Sequence, residues 1–90
     1  MFKITGKAGF HIGFENGYTV SVQFGRGNYC TNKNVSEDYV PLGGWSCENA
    51  EVAVFGKDGE FVKLDNGDVV EAHQSVAQVL ELMNKISKLP

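Results

Sequence analysis

The chain has 90 residues and a mass of 9.8 kDa, which fits a single domain over residues 1–90 and excludes a second core. A composition with 42% hydrophobic and 11% aromatic residues is typical of a folded globular protein and excludes a disordered chain. The net charge of −3 excludes the basic surface that duplex nucleic-acid binding needs, and no apolar run reaches the roughly 20 residues of a membrane helix, so we expect a cytosolic protein.

Residues 10–24 are predicted to form a two-stranded hairpin, because apolar and polar side chains alternate through them. The length of the turn decides which residues pair. A two-residue turn would place Phe14 opposite Thr19 and mix the apolar face of one strand with the polar face of the other. A three-residue loop ending at Gly17 places Phe14 opposite Tyr18 and unites the apolar faces, with the glycine in a left-handed conformation. We predict this second register.

Residues 25–49 show no sustained period, and such a long connection in a small domain is typically functional or disordered. Its aromatic and aliphatic side chains favour a loop docked on the sheet. Arg26 lies between two glycines, where backbone amides can form a nest for a phosphate or carboxylate that the guanidinium would clamp. The alternative is a bulged strand end with an exposed arginine.

Trp45, the single tryptophan, follows two glycines in the same segment. An indole at such a position can stack on a ligand ring or anchor a protein interface, and the alternative is a lid over the sheet. The segment unites a cation with amide and aromatic side chains. We therefore predict that four of its residues converge into a ligand-binding or partner-binding surface, namely Arg26, Asn28, Tyr29 and Trp45.

Residues that commonly carry catalysis or bind metals form no recognisable constellation. Cys30 and Cys47 lack a CxxC spacing, and in a reducing cytosol we expect two thiols rather than a disulfide. His11 is expected to face solvent on the polar side of the first hairpin, without the acidic neighbour that would favour a general base. The sequence therefore predicts a protein that is not an enzyme and has no metal site and no cofactor.

A second hairpin pattern follows the long segment. A three-residue loop at residues 57–59 would place Phe55 opposite Phe61 and Val52 opposite Leu64. Both faces of this strand pair would then carry apolar side chains, which is typical of central strands covered on both sides. Because so small a chain has little core of its own to cover them, a homodimer is the favoured assembly.

A third turn signal precedes a short, charged edge strand predicted over residues 68–71. The apolar period then changes from two to about 3.6, which indicates an amphipathic helix that starts at Gln74 or Ser75. We predict that Leu80 and Met83 are buried against the sheet. The predicted fold is α+β, a mostly antiparallel sheet of about five strands built from hairpins, with one C-terminal helix packed on a face.

The charges are unevenly distributed along the chain. Residues 37–81 hold ten acids and two lysines, whereas residues 1–36 hold four basic residues and one acid. Most of these charges are expected to lie in solvated turns. The sharper alternative is an acidic surface that engages a basic surface of another protein.

The stretches GFHIGFENGYTVSVQFGRGNYCTN, AEVAVFGKDGEF and NGDVV resemble a family of small proteins that is widespread in tailed bacteriophages. The resemblance covers most of the chain outside residues 33–44 and transfers no functional residues. It implies a phage accessory protein in the host bacterial cytoplasm. By analogy with other small phage proteins, we expect a non-enzymatic inhibitor of an anti-phage defence system that binds a host immune protein or sequesters a nucleotide signal. The alternatives are a structural or regulatory phage protein without a small-molecule ligand and, third, a small hydrolase.

Overall fold

The computed structural model describes residues 1–6, 8–31, 33–34 and 46–90. Over these residues the chain forms a five-stranded antiparallel sheet, with its strands in chain order, and one helix. The elements are β1 (Phe2–Thr5), β2 (Gly9–Gly13), β3 (Thr19–Gln23), β4 (Ala50–Phe55), β5 (Val70–Gln74) and α1 (Val76–Ser87). The helix packs on one face of the sheet, which confirms the predicted α+β fold.

Three turns share one backbone arrangement, at residues 14–18, 56–60 and 64–68. In each, the first residue donates its N–H to the carbonyl of the fifth and accepts from the glycine at the fourth position, which has a positive φ. An Asn or Asp at the third position accepts the N–H of the fifth residue. The recurring Asx-Gly pair therefore specifies the three-residue loop, because the side chain stabilises the turn and glycine adopts the left-handed conformation without strain.

The first hairpin has the predicted register. The Phe14 N–H donates to the Tyr18 carbonyl at 2.8 Å, and Phe10 lies opposite Val22. Gly17 has a φ of 93°, as the three-residue loop requires. The apolar side chains of both strands therefore lie on one face of the sheet, and the prediction is confirmed.

The second hairpin follows its predicted register only next to the turn. Phe55 lies opposite Phe61 as predicted, but the pairing of Val52 with Leu64 is wrong, since Val52 lies opposite Glu71 of β5. The third turn is the reason. This turn begins at Leu64 and turns the chain away from β4, so residues beyond Phe61 do not continue the predicted strand pairing with β4 as far as Val52.

The two edges of the sheet also differ in detail from the sequence interpretation. The edge strand predicted over residues 68–71 exists as β5, but it begins at Val70 and ends at Gln74. The strand expected after Phe61 is not among the five strands of the described sheet, since Phe61 forms an isolated bridge with Phe55. The fifth strand is instead β1, which forms the opposite edge of the sheet. The signal for β1 was the alternation of Phe2 and Ile4 with polar residues, which spans only four residues.

The helix begins where its sequence predicts. Ser75 is the N-cap: its hydroxyl accepts the Gln78 N–H at 3.2 Å, and the Gln78 side chain accepts the Ser75 N–H at 2.8 Å. This reciprocal capping box satisfies two backbone donors that the first helical turn leaves without partners. The predicted start at Ser75 is therefore close to the observed first helical residue, Val76.

The face of α1 that packs on the sheet includes Met83, as predicted, but not Leu80. Val79 and Ile86 are buried and Met83 is half-buried, whereas Leu80 is 53% exposed, so the prediction for Leu80 is wrong. Positions 79, 83 and 86 share one helical face, and Leu80 lies about 100° around the axis from Val79. Leu80 therefore lies at the margin of the contact with the sheet.

The core lies between α1 and the central strands. Its fully buried side chains, Val20, Val52 and Val54, come from β3 and β4. The backbone of α1 lies closest to β3, β4 and β5, and the Phe10 and Ile12 side chains of β2 pack against the same core. At its far end the Asn16 side chain of the first turn donates to the carbonyls of Ile86 and Leu89, so this turn is tied to the helix C-terminus.

Candidate functional site

The turn over residues 25–28, here called the glycine turn, is held together by its own backbone. The Asn28 side chain accepts the Gly25 N–H at 3.2 Å, and the Asn28 N–H donates to the Gly25 carbonyl at 3.2 Å. The Gly27 N–H donates to the Lys33 carbonyl at 2.9 Å. Since three of its four amides already have acceptors, the groups that this turn offers to an anion are the Arg26 N–H and the Arg26 side chain.

Two predicted site residues, Arg26 and Tyr29, are exposed and lie three positions apart in the chain. Arg26 is exposed, and its guanidinium makes no hydrogen bond or ion pair with another described residue. The ring of Tyr29 is also exposed, and the Lys33 ammonium lies 4.7 Å from its centroid. Arg26, Asn28 and Tyr29 share this segment because they are neighbours in the chain, and Trp45 lies outside the described residues, so the convergence of the four residues stays a prediction.

Tyr29 fixes this segment to the edge of the sheet. Its N–H donates to the Glu51 carboxylate at 2.9 Å, and its carbonyl accepts the His73 N–H at 2.9 Å. His73 is the one non-glycine residue of the described chain with a positive φ, at 53°. A left-handed conformation costs a residue with a side chain roughly 1–2 kcal/mol, so this irregular part of β5 is strained and is held by its neighbours.

A groove opens between α1 and the sheet, with a volume of about 380 Å³. The sequence did not predict it. Its lining includes Phe10, Val22, Phe24 and Ala50 from the sheet, residues 46–49, and Val76, Leu80 and Met83 from α1. Thr31 follows the glycine turn and contacts this lining, since its hydroxyl lies 2.7 Å from the Cys47 Sγ. The groove and the predicted site residues therefore belong to neighbouring parts of the surface.

The groove is largely apolar, with an acidic residue in its lining. Val76 and Leu80 are 69% and 53% exposed, although both are large aliphatic side chains. Glu48 is the charged residue among those that line it. The Asn49 side chain accepts the Thr31 N–H at 2.9 Å, so its oxygen already has a partner. This arrangement can bury apolar side chains and attract a cation.

The two cysteines are thiols and are not joined by a disulfide. Cys30 is buried, and its Sγ donates to the Gly25 carbonyl at 3.7 Å. In the part of the chain that the structure describes, no group of three or more His, Cys, Asp or Glu residues is arranged to hold a metal ion. These side chains therefore give no geometry from which a metal centre could be argued.

His11 lies on the face of the sheet opposite the helix, beside Ser21. It was expected to face solvent, but it is half-buried, with its ring centroid 5.5 Å from that of Phe55. Burial lowers the pKa of His11 below its usual 6.5, and the nearby Lys3 ammonium lowers it further. Its surroundings favour a neutral imidazole that packs in place.

No protein-family model, curated protein or solved structure matches the chain. The described residues also contain no helix long and apolar enough to cross a membrane.

Proposed function

We propose that the chain is a non-enzymatic phage accessory protein that inhibits a bacterial anti-phage defence system by binding a host immune protein. The observation that carries this proposal is the exposure of Val76 and Leu80 along an apolar groove. Monomeric proteins rarely leave large aliphatic side chains exposed together at a concave site unless a partner covers them. The phage context and the host target come from the sequence resemblance.

The lining of the groove indicates the chemistry of the partner segment. Its apolar walls suit one or two aliphatic or aromatic side chains, and Glu48 would pair with a lysine or arginine beside them. The net charge of −3 also attracts a positively charged partner, and it does so over longer distances than Glu48 alone. The proposed occupant is therefore a basic, partly apolar segment, such as one from a defence protein that itself binds nucleic acid.

Sequestration of a nucleotide signal is the second candidate, and it is favoured by one observation. The Lys33 ammonium lies over the exposed Tyr29 ring, and the exposed Arg26 precedes Tyr29 by three residues in the chain. An aromatic ring beside cations is the combination that stacks on a base and neutralises phosphates. The backbone amides of the glycine turn contribute less, because three of them already donate within the protein.

The test is phage plating on bacteria that each carry one defence system, with and without expression of the chain. We expect the parent chain to restore plating on at least one such host and Leu80→Ser to lose that effect. Phe61→Ser is the matched control, because Phe61 is 52% exposed, close to the 53% of Leu80, and does not line the groove. Melting temperatures of both variants establish that they are folded.

A paired set of variants separates the two candidates. Direct binding of the purified defence protein, measured by calorimetry, should weaken at least about tenfold in Leu80→Ser and remain unchanged in Arg26→Ala. Loss of protection in Arg26→Ala, Tyr29→Ala and Trp45→Ala with full activity of Leu80→Ser would instead support nucleotide sequestration. Full activity of all four variants would reject both sites. A parent chain that restores plating on no host would instead support a structural or regulatory role without a small-molecule ligand.

A further inference from the structure

The helix covers only part of the sheet face on which it packs, because its backbone lies closest to β3, β4 and β5. Ile4 of β1 lies opposite Phe10, and Phe10 lies opposite the core residue Val22. Cross-strand partners point to the same side of a sheet, so Ile4 lies on the helix side, and the alternation along β1 places Phe2 there too. Both side chains are 82% exposed, so this face is open over β1.

The open part of this face is continuous with the groove. Phe10 belongs to both, because it pairs with Ile4 and also lines the groove with Leu80. Exposed aliphatic side chains therefore lie along α1 on one side of Phe10, and exposed apolar side chains lie along β1 on the other. We call this combined surface the trough, and define it by Phe2, Ile4, Phe10, Val76 and Leu80.

The dimensions of the trough suit one α-helix. Neighbouring strands lie about 4.8 Å apart, so β1 and β2 form a strip on the order of 10 Å wide, which is the diameter of a helix with its side chains. Packed helices lie about 8–10 Å apart, so a second helix beside α1 would lie over these two strands. The five residues of β2 span about 17 Å, the length of roughly three helical turns.

We propose that the partner segment is an amphipathic α-helix of about three turns that lies in the trough beside α1. This inference rests on the proposed function and deepens it, because it assigns the bound segment a conformation and adds β1 to its binding surface. Apolar side chains at positions i, i+3, i+4 and i+7 of the partner helix would contact Leu80 on one side and Ile4 on the other.

The charges around the trough favour a helix with basic residues at its margin. Glu48 is the charged residue that lines the groove end of the trough, and it would pair with a lysine or arginine of the partner. The two residues of β1 and β2 that can carry a positive charge, Lys3 and His11, pair with each other on the opposite side of the sheet. They therefore do not face the basic margin of the bound helix.

The exposed area corresponds to a single bound helix. Phe2, Ile4, Val76 and Leu80 together present on the order of 500 Å², close to the roughly 600 Å² per partner at the lower end of stable interfaces. The half-buried Phe10 adds to this area. We therefore expect an isolated helix to bind with a dissociation constant on the order of 1–100 µM.

An extended segment paired with the open edge of β1 fits these observations less well. Such a strand would cover side chains next to Phe2 and Ile4, but it would leave Val76 and Leu80 exposed on the other side of the trough. Lys3 also lies within this edge strand, and a lysine there is a common protection against strand addition. A helix covers both exposed rows at once.

The experiment is an NMR titration of the purified, ¹⁵N-labelled chain with a synthetic peptide. The peptide has about 14 residues, with leucines in one helical stripe, lysines at the margins of the stripe and a hydrocarbon staple on its polar face that keeps it helical. We expect binding in the micromolar range, with resonance shifts at Ile4, Phe10 and Leu80 together. A stapled peptide of the same composition, with the leucines spread around the helix, should bind at least about tenfold more weakly.

Variants of the chain test both sides of the trough. Phe2→Thr/Ile4→Thr and Leu80→Ser should each weaken peptide binding at least about tenfold. Lys3→Thr is the matched control, because it changes the same strand on the opposite side and should bind no more weakly than the parent. Threonine keeps the preference for a strand at exposed positions, so the double variant should fold. If its circular dichroism shows unfolding, the two single variants replace it.

The proposal is overturned if the striped peptide does not bind at about 1 mM, or if the shifts stay within the groove and do not reach β1. Equal binding of the two peptides, or of parent and folded double variant, overturns it as well. No defence system takes part in this measurement. Peptide binding by a chain that restores plating on no host would reject the proposed function alone, whereas restored plating without peptide binding would reject the helical partner alone.

Discussion

Replacing Asn16 by alanine should destabilise the protein more than its position in a surface turn suggests. The Asn16 Nδ2 donates to the Ile86 carbonyl at 2.8 Å and to the Leu89 carbonyl at 2.9 Å, seventy and seventy-three residues along the chain. The last carbonyls of a helix lack the N–H of a following turn. The Ile86 carbonyl accepts the Leu89 N–H at 3.2 Å, and the Asn16 amide adds a second donor to it and one to the Leu89 carbonyl just beyond the helix. The Asn16 Oδ1 also accepts the Tyr18 N–H at 3.1 Å.

The magnitude follows from these bonds. A hydrogen bond contributes about 0.5–1.5 kcal/mol net, so the two bonds to the helix end contribute roughly 1–3 kcal/mol, and Asn16→Ala also loses the turn bond from the Tyr18 N–H. A domain of this size melts about 4–8 °C lower for each kcal/mol, so a loss of about 2 kcal/mol corresponds to roughly 8–16 °C. Asn66→Ala is the matched control. Asn66 has the same place in the third turn and accepts the Asp68 N–H there, but its amide donates to one carbonyl, that of Val70, in an exposed position. We therefore expect Asn66→Ala to destabilise the protein by about 1 kcal/mol less than Asn16→Ala.

Asn16→Asp tests the direction of the bonds. Aspartate keeps an acceptor for the Tyr18 N–H but removes both donors and places a negative charge beside the negative end of the helix dipole. We expect it to be at least as destabilising as alanine at pH 7. Folding would raise the pKa of this carboxyl, so the protonated form would be favoured and stability should recover as the pH falls toward about 4. Thermal and urea unfolding measure both effects, and an Asn16→Ala protein that melts within about 2 °C of the parent would refute the reasoning.

Three further expectations follow from burial, backbone geometry and protonation. Val79→Ala should lower the free energy of unfolding in urea by about 1–3 kcal/mol, whereas Leu80→Ala should lower it by less than about 1 kcal/mol, because Val79 is buried and Leu80 is exposed. Equal losses in the two variants would contradict the observed orientation of the helix. Gly17→Val should cost at least about 1 kcal/mol, because a φ of 93° strains any residue with a side chain, and an unchanged melting temperature would argue against the left-handed turn. Burial and Lys3 lower the pKa of His11 below 6.5, so the unfolded chain binds a proton at this residue more readily than the folded one. The stability that is present above pH 6.5 should therefore decline as the pH falls below that value. His11→Gln should reduce this decline in melting temperature, and identical pH profiles of parent and variant would count against the effect of His11.

The sequence predicted the first hairpin well because two independent signals agreed. Alternation fixed the apolar face, and Asn16-Gly17 was compatible with a turn that unites this face with that of the next strand. At Leu64 two signals competed, an extended alternation and a third turn, and local pattern alone does not rank them. The turn prevailed, and its closing hydrogen bond from the Leu64 N–H to the Asp68 carbonyl is 2.7 Å long.

The candidate site was less predictable because it depends on distant parts of the chain. The exposure of Leu80 follows from how α1 is rotated on the sheet, and a helical period does not fix that rotation to within one residue. The groove requires Phe10, Cys47 and Val76 to meet, and they come from three separate segments. The grouping of Arg26, Asn28 and Tyr29 was accessible from sequence, since these residues are neighbours in the chain.

The order of the strands has a consequence for how the chain folds. Each strand pairs with the one before it in sequence, so most pairings close short loops and should form rapidly. The pairing of β3 with β4 is the exception, because residues 24–49 separate them and closing that connection costs about 2 kcal/mol more entropy than a three-residue turn. Val20 lies before this connection and Val54 after it, opposite each other in the finished sheet. Neither the part of the chain before this connection nor the part after it can therefore form a complete core alone. We expect the pairing of β3 with β4 to set the folding rate and to make folding all-or-none.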